Sequence, residues 1–105
     1  MSGFNYAEPR LGVLALEGEL TIMHASDIKD VLLDRLAASD KLDVDLAGIS
    51  EIDSAGVQLL MMLRNEAERA SKQVSWVGHS QAVTQVLDLL NLGAALGAPA
   101  AIVWS

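Results

Sequence analysis

A single serine hydroxyl, that of Ser54, stands where a helix is expected to begin. It lies in the segment Ile52-Asp53-Ser54-Ala55-Gly56, between a strand-like run and a strongly helical run. A hydroxyl at a helix N-terminus faces unpaired backbone N–H groups and the positive end of the helix dipole. This setting suits either a structural cap or a phosphate group. We therefore interpret Ser54 as either an N-cap or the position of a bound or covalently attached phosphate.

Catalytic chemistry at Ser54 has little support in the sequence. A hydrolytic triad would need a histidine and an aspartate, but Ser54 lies in no Gly-x-Ser-x-Gly elbow that would place it beside His24 or His79. Two histidines without cysteine or paired ligand spacing do not predict a zinc site, and no phosphate-binding loop surrounds Gly56. The sequence predicts a protein that is not an enzyme and has no cofactor or metal.

Asp53 either orients the loop, or assists phosphoryl transfer within a kinase complex, or is a turn aspartate bonded to nearby backbone.

Composition favours a folded protein whose partner is another protein. The chain has 105 residues, of which 51% are hydrophobic and 20% charged, so we expect one domain over residues 1–105. Its 14 acidic and 7 basic residues give a net charge of -7 without a basic run, which argues against binding to nucleic acid or anionic lipid. The lack of cysteine, of a leader-like N-terminus and of any apolar run near ~20 residues predicts a cytoplasmic protein without direct membrane insertion.

Hydrophobic spacing predicts an alternation of strands and helices. The expected strands are residues 4–7, 11–17, 42–46, 73–77 and 101–104, the first two forming a hairpin across Pro9. The expected helices are residues 22–38, capped by Thr21, residues 57–70, and a third helix that Ser80 caps and that Asn91 and Gly93 stop. The inward face of the first is expected to carry Ala25, Ile28, Leu32 and Leu36, and that of the third Val83, Val86, Leu87 and Leu90. This order predicts an α/β fold with a mixed sheet of about five strands and helices mainly on one face.

The second helix has more apolar residues than one buried stripe can use. The expected stripe consists of Gly56, Leu60, Leu63, Ala67 and Ala70. The additional apolar residues of the first two turns are Val57, Leu59, Met61 and Met62. Soluble proteins avoid large exposed apolar patches, and methionine adapts to irregular partner surfaces. We therefore interpret this end of the helix as a docking face, with internal packing or self-association into a homodimer as the alternatives.

Several motifs occur in an order that resembles the STAS family, named for sulphate transporters and anti-sigma factor antagonists. They are Gly18-Glu19-Leu20, Val44-Asp45-Leu46, Ile52-Asp53-Ser54-Ala55-Gly56-Val57, and Val77-Gly78-His79-Ser80 leading into Val83 and Leu87. They span nearly the whole chain from about Leu11 onward. The Asp-Ser-x-Gly element is short, but its place after a strand and before an apolar helix makes the combination specific.

The resemblance implies a regulatory switch. In STAS antagonists the serine after the aspartate is phosphorylated by the partner, an anti-sigma factor that is a GHKL-type serine kinase, and a PP2C-type phosphatase removes the phosphate. Ser54 occupies that position, and Ala55 stands where many antagonists carry a second hydroxyl. The motif, the apolar patch and the resemblance together predict the partner-binding residues Asp53, Ser54, Ala55, Gly56, Val57, Gln58, Met61 and Met62. STAS domains also serve as non-catalytic subunits on the ATPase of phospholipid-transporting ABC systems, which is the alternative function.

Charge explains how phosphorylation could act as a switch. A phosphate adds about -1.5 to -2 charges at neutral pH, here next to Asp53 and near Glu51. The helix N-terminus would tolerate this anion, so the penalty falls on a partner that must desolvate it. A penalty of ~3 kcal/mol would weaken binding about 100-fold.

Overall fold

The structure, a computed structural model, describes residues 3–90, which form four strands and three α-helices. The strands are β1 (Phe4–Arg10), β2 (Val13–Leu20), β3 (Lys41–Ile52) and β4 (Gln73–His79). The helices are α1 (Ala25–Ala38), α2 (Ser54–Arg69) and α3 (Gln81–Leu90), and a 3₁₀ turn over Ile22–His24 precedes α1. No helix within residues 3–90 is long and apolar enough to cross a membrane.

The four strands form one mixed sheet in the order β1-β2-β3-β4. β1 runs antiparallel to β2, whereas β2, β3 and β4 are parallel to one another. This arrangement confirms the predicted α/β fold, in which helices connect the parallel strands. The expected fifth strand at 101–104, and the helix stop at Asn91 and Gly93, lie outside the described residues.

The core lies on one face of the sheet, against the helices. Side chains alternate along β3, where Leu42, Val44 and Leu46 are buried and the intervening aspartates are half-buried on the opposite face. The helices contribute Ile28, Leu32 and Leu36 from α1, Leu60, Leu63 and Ala67 from α2, and Val83 from α3 to the same buried cluster. These positions follow the predicted helical stripes, except that Ala25 and Val86 are half-buried and Ala70 is exposed.

The first hairpin turns at Leu11 and Gly12, not at Pro9 as the sequence suggested. Pro9 lies within β1, and the tight reversal falls where Gly12 adopts a φ of +80°. Glycine takes up such a left-handed conformation without the steric cost that other residues meet. Pro9 is tolerated in β1 because this strand forms an edge of the described sheet.

The first helix also begins later than predicted. Residues Ile22–His24 form a 3₁₀ turn, α1 starts at Ala25, and the side chain of Thr21 makes no capping hydrogen bond. The backbone N–H of Ile22 donates instead to the carboxylate of a distant residue, Asp53, at 3.0 Å. By contrast, Ser80 caps α3 as predicted, since its Oγ accepts from the N–H of Val83 at 3.2 Å.

β3 extends well beyond the predicted 42–46 and ends at Ile52, immediately before α2. Its alternation breaks at Ala47 and Gly48, which are both exposed, and the register with β2 shifts in this region. The pairing resumes and places Leu20 opposite Ile52. The ends of β2 and β3 therefore meet at one edge of the sheet, and the segments that follow them lie side by side.

Candidate functional site

Asp53 links three segments of the chain at the beginning of α2. Its Oδ1 accepts from the N–H of Gly56 at 2.9 Å, and its Oδ2 accepts from the N–H of Ile22 at 3.0 Å. Its own N–H donates to the carbonyl oxygen of Leu20 at 3.3 Å. Asp53 is therefore the N-cap of α2, and it also anchors the 3₁₀ turn that follows β2. Of the three predicted roles, loop orientation and backbone bonding are both present in this geometry.

Backbone hydrogen bonds control the ionisation of Asp53. Burial raises the pKa of its carboxyl, but donors from Ile22, Gly56 and Ala55 outweigh this effect and hold the pKa below its ordinary value of 3.8. The carboxylate is consequently ionised at neutral pH. Each of its two oxygens accepts from a backbone donor.

Ser54 is the first residue of α2, not its cap. Its side chain is exposed and takes no part in the capping hydrogen bonds, which Asp53 supplies. The hydroxyl thus faces solvent at the positive end of the helix dipole. This correction to the N-cap interpretation leaves the hydroxyl accessible to a modifying enzyme.

Gly56 brings the first turn of α2 into contact with the end of β2. A Cβ at this position would lie 2.0 Å from the carbonyl oxygen of Leu20 and 2.9 Å from Cγ1 of Ile52. No side chain fits in that space, so only glycine permits this helix to start so close to the sheet. Gly56 and Asp53 together place the turn after β2 beside Ser54.

That turn exposes two large apolar side chains which the sequence analysis did not place in the site. Ile22 is 66% exposed and Met23 is 79% exposed. Both were expected within the first helix, although neither lies on its face of Ile28, Leu32 and Leu36. Their place outside this face is the sequence feature that could have indicated their exposure. Their position beside Ser54 follows from the Ile22–Asp53 hydrogen bond, which joins residues 31 positions apart.

The predicted docking residues of α2 separate into two groups. Gly56 and Val57 are buried, Val57 being only 1% exposed, so they lie in the core and not on a partner-facing surface. Leu59 is half-buried against the core, and so is Met61, which lies between the two groups. Ser54, Gln58, Met61 and Met62 follow one helical face by their spacing, and the last three line a shallow depression with Asn65 and Arg69.

We define the Ser54 surface as the exposed turn together with this helical face. It consists of Ile22, Met23, Ser54, Gln58, Met61 and Met62. Acidic groups border it, since Glu51 is exposed and Glu19 lies 3.4 Å from Nε2 of His24. Within residues 3–90, no cluster of histidine and carboxylate side chains is arranged to hold a metal ion.

The second histidine considered for catalysis belongs to another part of the fold. His79 ends β4 and is half-buried. Burial lowers its pKa, and the nearby charge of Asp45 opposes this shift only in part. The imidazole is therefore neutral at pH 7, and its neighbour is a carboxylate of β3, not Asp53.

Comparison with known proteins identifies the family. A family model described as "Mlab, STAS domain" matches residues 6–98. The chain belongs to the STAS domain family. This finding confirms the resemblance inferred from the motifs. None of the proteins of curated function matches the sequence.

Solved structures share the fold of this STAS domain. An anti-sigma factor antagonist from Mycobacterium paratuberculosis superposes with a TM-score of 0.76 at 19% identity, covering 90% of this chain and 86% of that chain. The antagonist SpoIIAA in its unphosphorylated form gives 0.67 at 20% identity, covering 88% and 84%. The Bacillus cell fate determinant SpoIIAA in its phosphorylated form gives 0.63 at 19% identity, covering 88% and 86%.

Most family motifs of this STAS domain lie at or near the ends of strands, whereas Val44-Asp45-Leu46 lies within β3. Gly18, near the end of β2, has a φ of +89°, and a Cβ there would lie 1.9 Å from the carbonyl oxygen of Gly3. Asp53 and Gly56 fix the start of α2, and Ser80 fixes the start of α3. The motif residues thus define the backbone frame that carries the Ser54 surface.

Proposed function

We propose that this STAS domain is a phosphorylation-controlled binding protein of the anti-sigma factor antagonist type. Unmodified, it binds a serine-kinase anti-sigma factor, or a related regulator, through the Ser54 surface. Phosphorylation of Ser54 by that kinase releases it, and a PP2C-type phosphatase restores binding. The observation that carries this proposal is an exposed Ser54 hydroxyl, held on a rigid frame beside the exposed side chains of Ile22 and Met23.

The apolar turn gives this surface its affinity. Ile22 and Met23 project into solvent while the Asp53 carboxylate holds the backbone of their turn in place. A partner that covers both side chains gains roughly 1.5–3 kcal/mol for each one fully buried. Because the turn is already fixed, little conformational entropy is lost on binding.

The phosphate would oppose this binding by charge. It adds about -1.5 to -2 charges at a position already next to the ionised Asp53. The partner would have to desolvate this anion to cover Ile22 and Met23. In this role the domain accepts a phosphoryl group and does no chemistry of its own, and we place the exchange in the cytoplasm, with the kinase.

A second candidate function is a permanent subunit bound to the ATPase of a phospholipid-transporting ABC system. Met23 is 79% exposed, and large apolar side chains so exposed suit a surface that a partner always covers. The matching family model is also described as Mlab and not as an antagonist. In this alternative the Ser54 hydroxyl has a structural role and the complex does not respond to phosphorylation.

Charge-mimicking substitutions at Ser54 distinguish the two functions. The partner is first captured from the protein's own cells, and phosphate at residue 54 is measured by mass spectrometry. We expect phosphorylated protein to bind the partner about 100-fold more weakly, Ser54→Asp to weaken binding in the same direction, and Ser54→Ala to bind without being switched. The matched control is Ser50→Asp, which adds the same charge at an exposed position of β3.

Two results would contradict the switch. One is equal affinity of Ser54→Asp and Ser54→Ala for the captured partner, together with no phosphate on residue 54 in cells, which would favour the permanent subunit. The other is equal weakening by Ser50→Asp and Ser54→Asp, because the effect would then reflect net charge and not the position of Ser54.

A further inference from the structure

The outer edge of β1 is a second candidate surface, built from elements other than those of the Ser54 surface. β1 is the first strand in the sheet order, so within residues 3–90 no strand pairs with its outer side. The N–H of Glu19 donates to the carbonyl oxygen of Gly3, which makes these two residues a hydrogen-bonded pair. Such pairs alternate along an antiparallel ladder. The backbone groups of Phe4 and Tyr6 therefore point away from β2.

The same two residues offer an aromatic surface. The rings of Phe4 and Tyr6 stack with centroids 6.3 Å apart and an interplanar angle of 24°, and Tyr6 is 51% exposed. They line a groove of about 400 Å³ together with Val31 and two aspartates of α1, Asp27 and Asp30. Free backbone groups and an apolar floor are the features that extended peptides use when they add a strand to a sheet.

Charge identifies the kind of segment that fits. Asp27 and Asp30 are exposed, and no residue within 3–90 forms an ion pair with either. Arg35, which lines an adjacent depression with Tyr6 and Asp30, is already paired with Glu8 and Asp34. The groove therefore presents negative charge beside aromatic faces, and both attract lysine and arginine side chains.

A second copy of this chain is a poor occupant of the same edge. Pairing two β1 strands would bring the acidic faces of two α1 helices together, and each chain carries a net charge of -7. Pro9 also limits the length of strand that can pair, because it has no N–H to donate. The site accepts a short segment over Phe4–Ala7.

We propose that the outer edge of β1 binds an extended, lysine- or arginine-bearing segment of a protein partner by strand addition. The segment pairs with the backbone of Phe4 and Tyr6 and directs its basic side chains toward Asp27 and Asp30. This contact would be separate from the Ser54 surface. Its test does not depend on phosphorylation or on the identity of the partner that binds there.

Amide hydrogen exchange on the full-length free protein tests the open edge. We expect the Phe4 and Tyr6 amides to exchange rapidly, whereas the Asn5 and Ala7 amides, which face β2, are protected. Equal protection of all four amides would mean that another segment or a second copy already covers the edge, and it would overturn the proposal.

Binding is then tested with a blocked Lys-Val-Lys-Val-Lys peptide, followed by backbone NMR. We expect shifts and slowed exchange at Phe4 and Tyr6, and loss of at least about fivefold in affinity when every peptide amide is N-methylated. Asp27→Asn and Asp30→Asn should each weaken binding about two- to fivefold. The matched control, Asp40→Asn, removes the same charge from an exposed position outside the groove and should bind as wild type.

Three outcomes would overturn the proposal. The first is equal binding of a Glu-Val-Glu-Val-Glu peptide, which would show that charge does not select the ligand. The second is unchanged binding of the N-methylated lysine peptide, which would exclude strand addition. The third is the absence of shifts at Phe4 and Tyr6, including the case in which the peptide shifts only the Ser54 surface.

Discussion

Gly56→Ala tests whether close contact between α2 and the end of β2 builds the site. The new methyl group would lie 2.0 Å from the carbonyl oxygen of Leu20, and real contacts of this kind are at least 3.0 Å. The helix must therefore move outward by about 1 Å or more. The clashing atom is a backbone oxygen, which cannot move away by a change of side-chain rotamer.

The cost can be estimated from the contacts at risk. Overpacking of this kind costs about 1–3 kcal/mol. The movement would also strain two hydrogen bonds, Asp53 N–H to Leu20 and Ile22 N–H to Asp53, each worth about 0.5–1.5 kcal/mol. The higher helix propensity of alanine offsets at most ~1 kcal/mol of this loss of stability. We expect a net loss of about 1–5 kcal/mol in the free energy of unfolding, a large part of the stability of a domain of this size.

Urea denaturation and the amide signal of Ile22 measure the two effects separately. The unfolding midpoint should fall, and the Ile22 amide should shift because its acceptor has moved. Asn65→Ala is the control, since it raises helix propensity at an exposed position of α2 without approaching β2, and it should not lower stability. Wild-type stability in Gly56→Ala, with an unchanged Ile22 amide, would refute the inferred contact.

Three further predictions concern ionisation and docking. Asp53→Asn should lower the free energy of unfolding by about 1.5–3 kcal/mol at pH 7. Because folding lowers the pKa of Asp53 from its ordinary value of 3.8, the difference in stability between wild type and variant should become smaller as the pH falls below that value. A constant difference in urea titrations at several pH values would contradict this prediction. Because folding also lowers the pKa of His79 from its ordinary value of 6.5, the free energy of unfolding of the wild type should decrease as the pH drops below that value, and His79→Gln should not show this decrease. Identical stability profiles of wild type and variant against pH would refute this prediction. Met23→Glu should weaken partner binding about tenfold or more in a calorimetric titration, while its free energy of unfolding stays within about 0.5 kcal/mol of wild type. The control is Leu11→Glu, at a 93% exposed position of the hairpin turn, which should bind the partner with unchanged affinity.

Local sequence signals predicted the parts of the fold that local contacts determine. The Ser80 cap, the Ile28–Leu32–Leu36 spacing and the alternation around Val44 each depend on neighbours a few residues away, and all three are present in the structure. The turn at Gly12 was missed because Pro9 gave the more familiar turn signal, although a proline also fits an edge strand.

Contacts between distant segments explain what local spacing missed. Val57 was expected on the surface because one helical stripe seemed already filled, yet Gly56 packs against the end of β2 and the adjacent Val57 is only 1% exposed. Ile22 was expected inside a helix, but its N–H donates to the carboxylate of Asp53, 31 residues away. The hydrophobic periodicity of neither segment could predict this hydrogen bond.

The position of Asp53 also determines what a phosphate on Ser54 can do. A phosphate at a helix N-terminus is ordinarily neutralised in part by the free N–H groups of the first turn. Here the Asp53 carboxylate already accepts from Gly56 and from Ile22, so those donors are not available to a phosphate on Ser54. The anion would remain largely solvated on the Ser54 surface, next to an ionised carboxylate, and the fold would have little reason to rearrange around it. A partner approaching Ile22 and Met23 would then meet the full added charge, so the proposed switch would require no rearrangement of the domain.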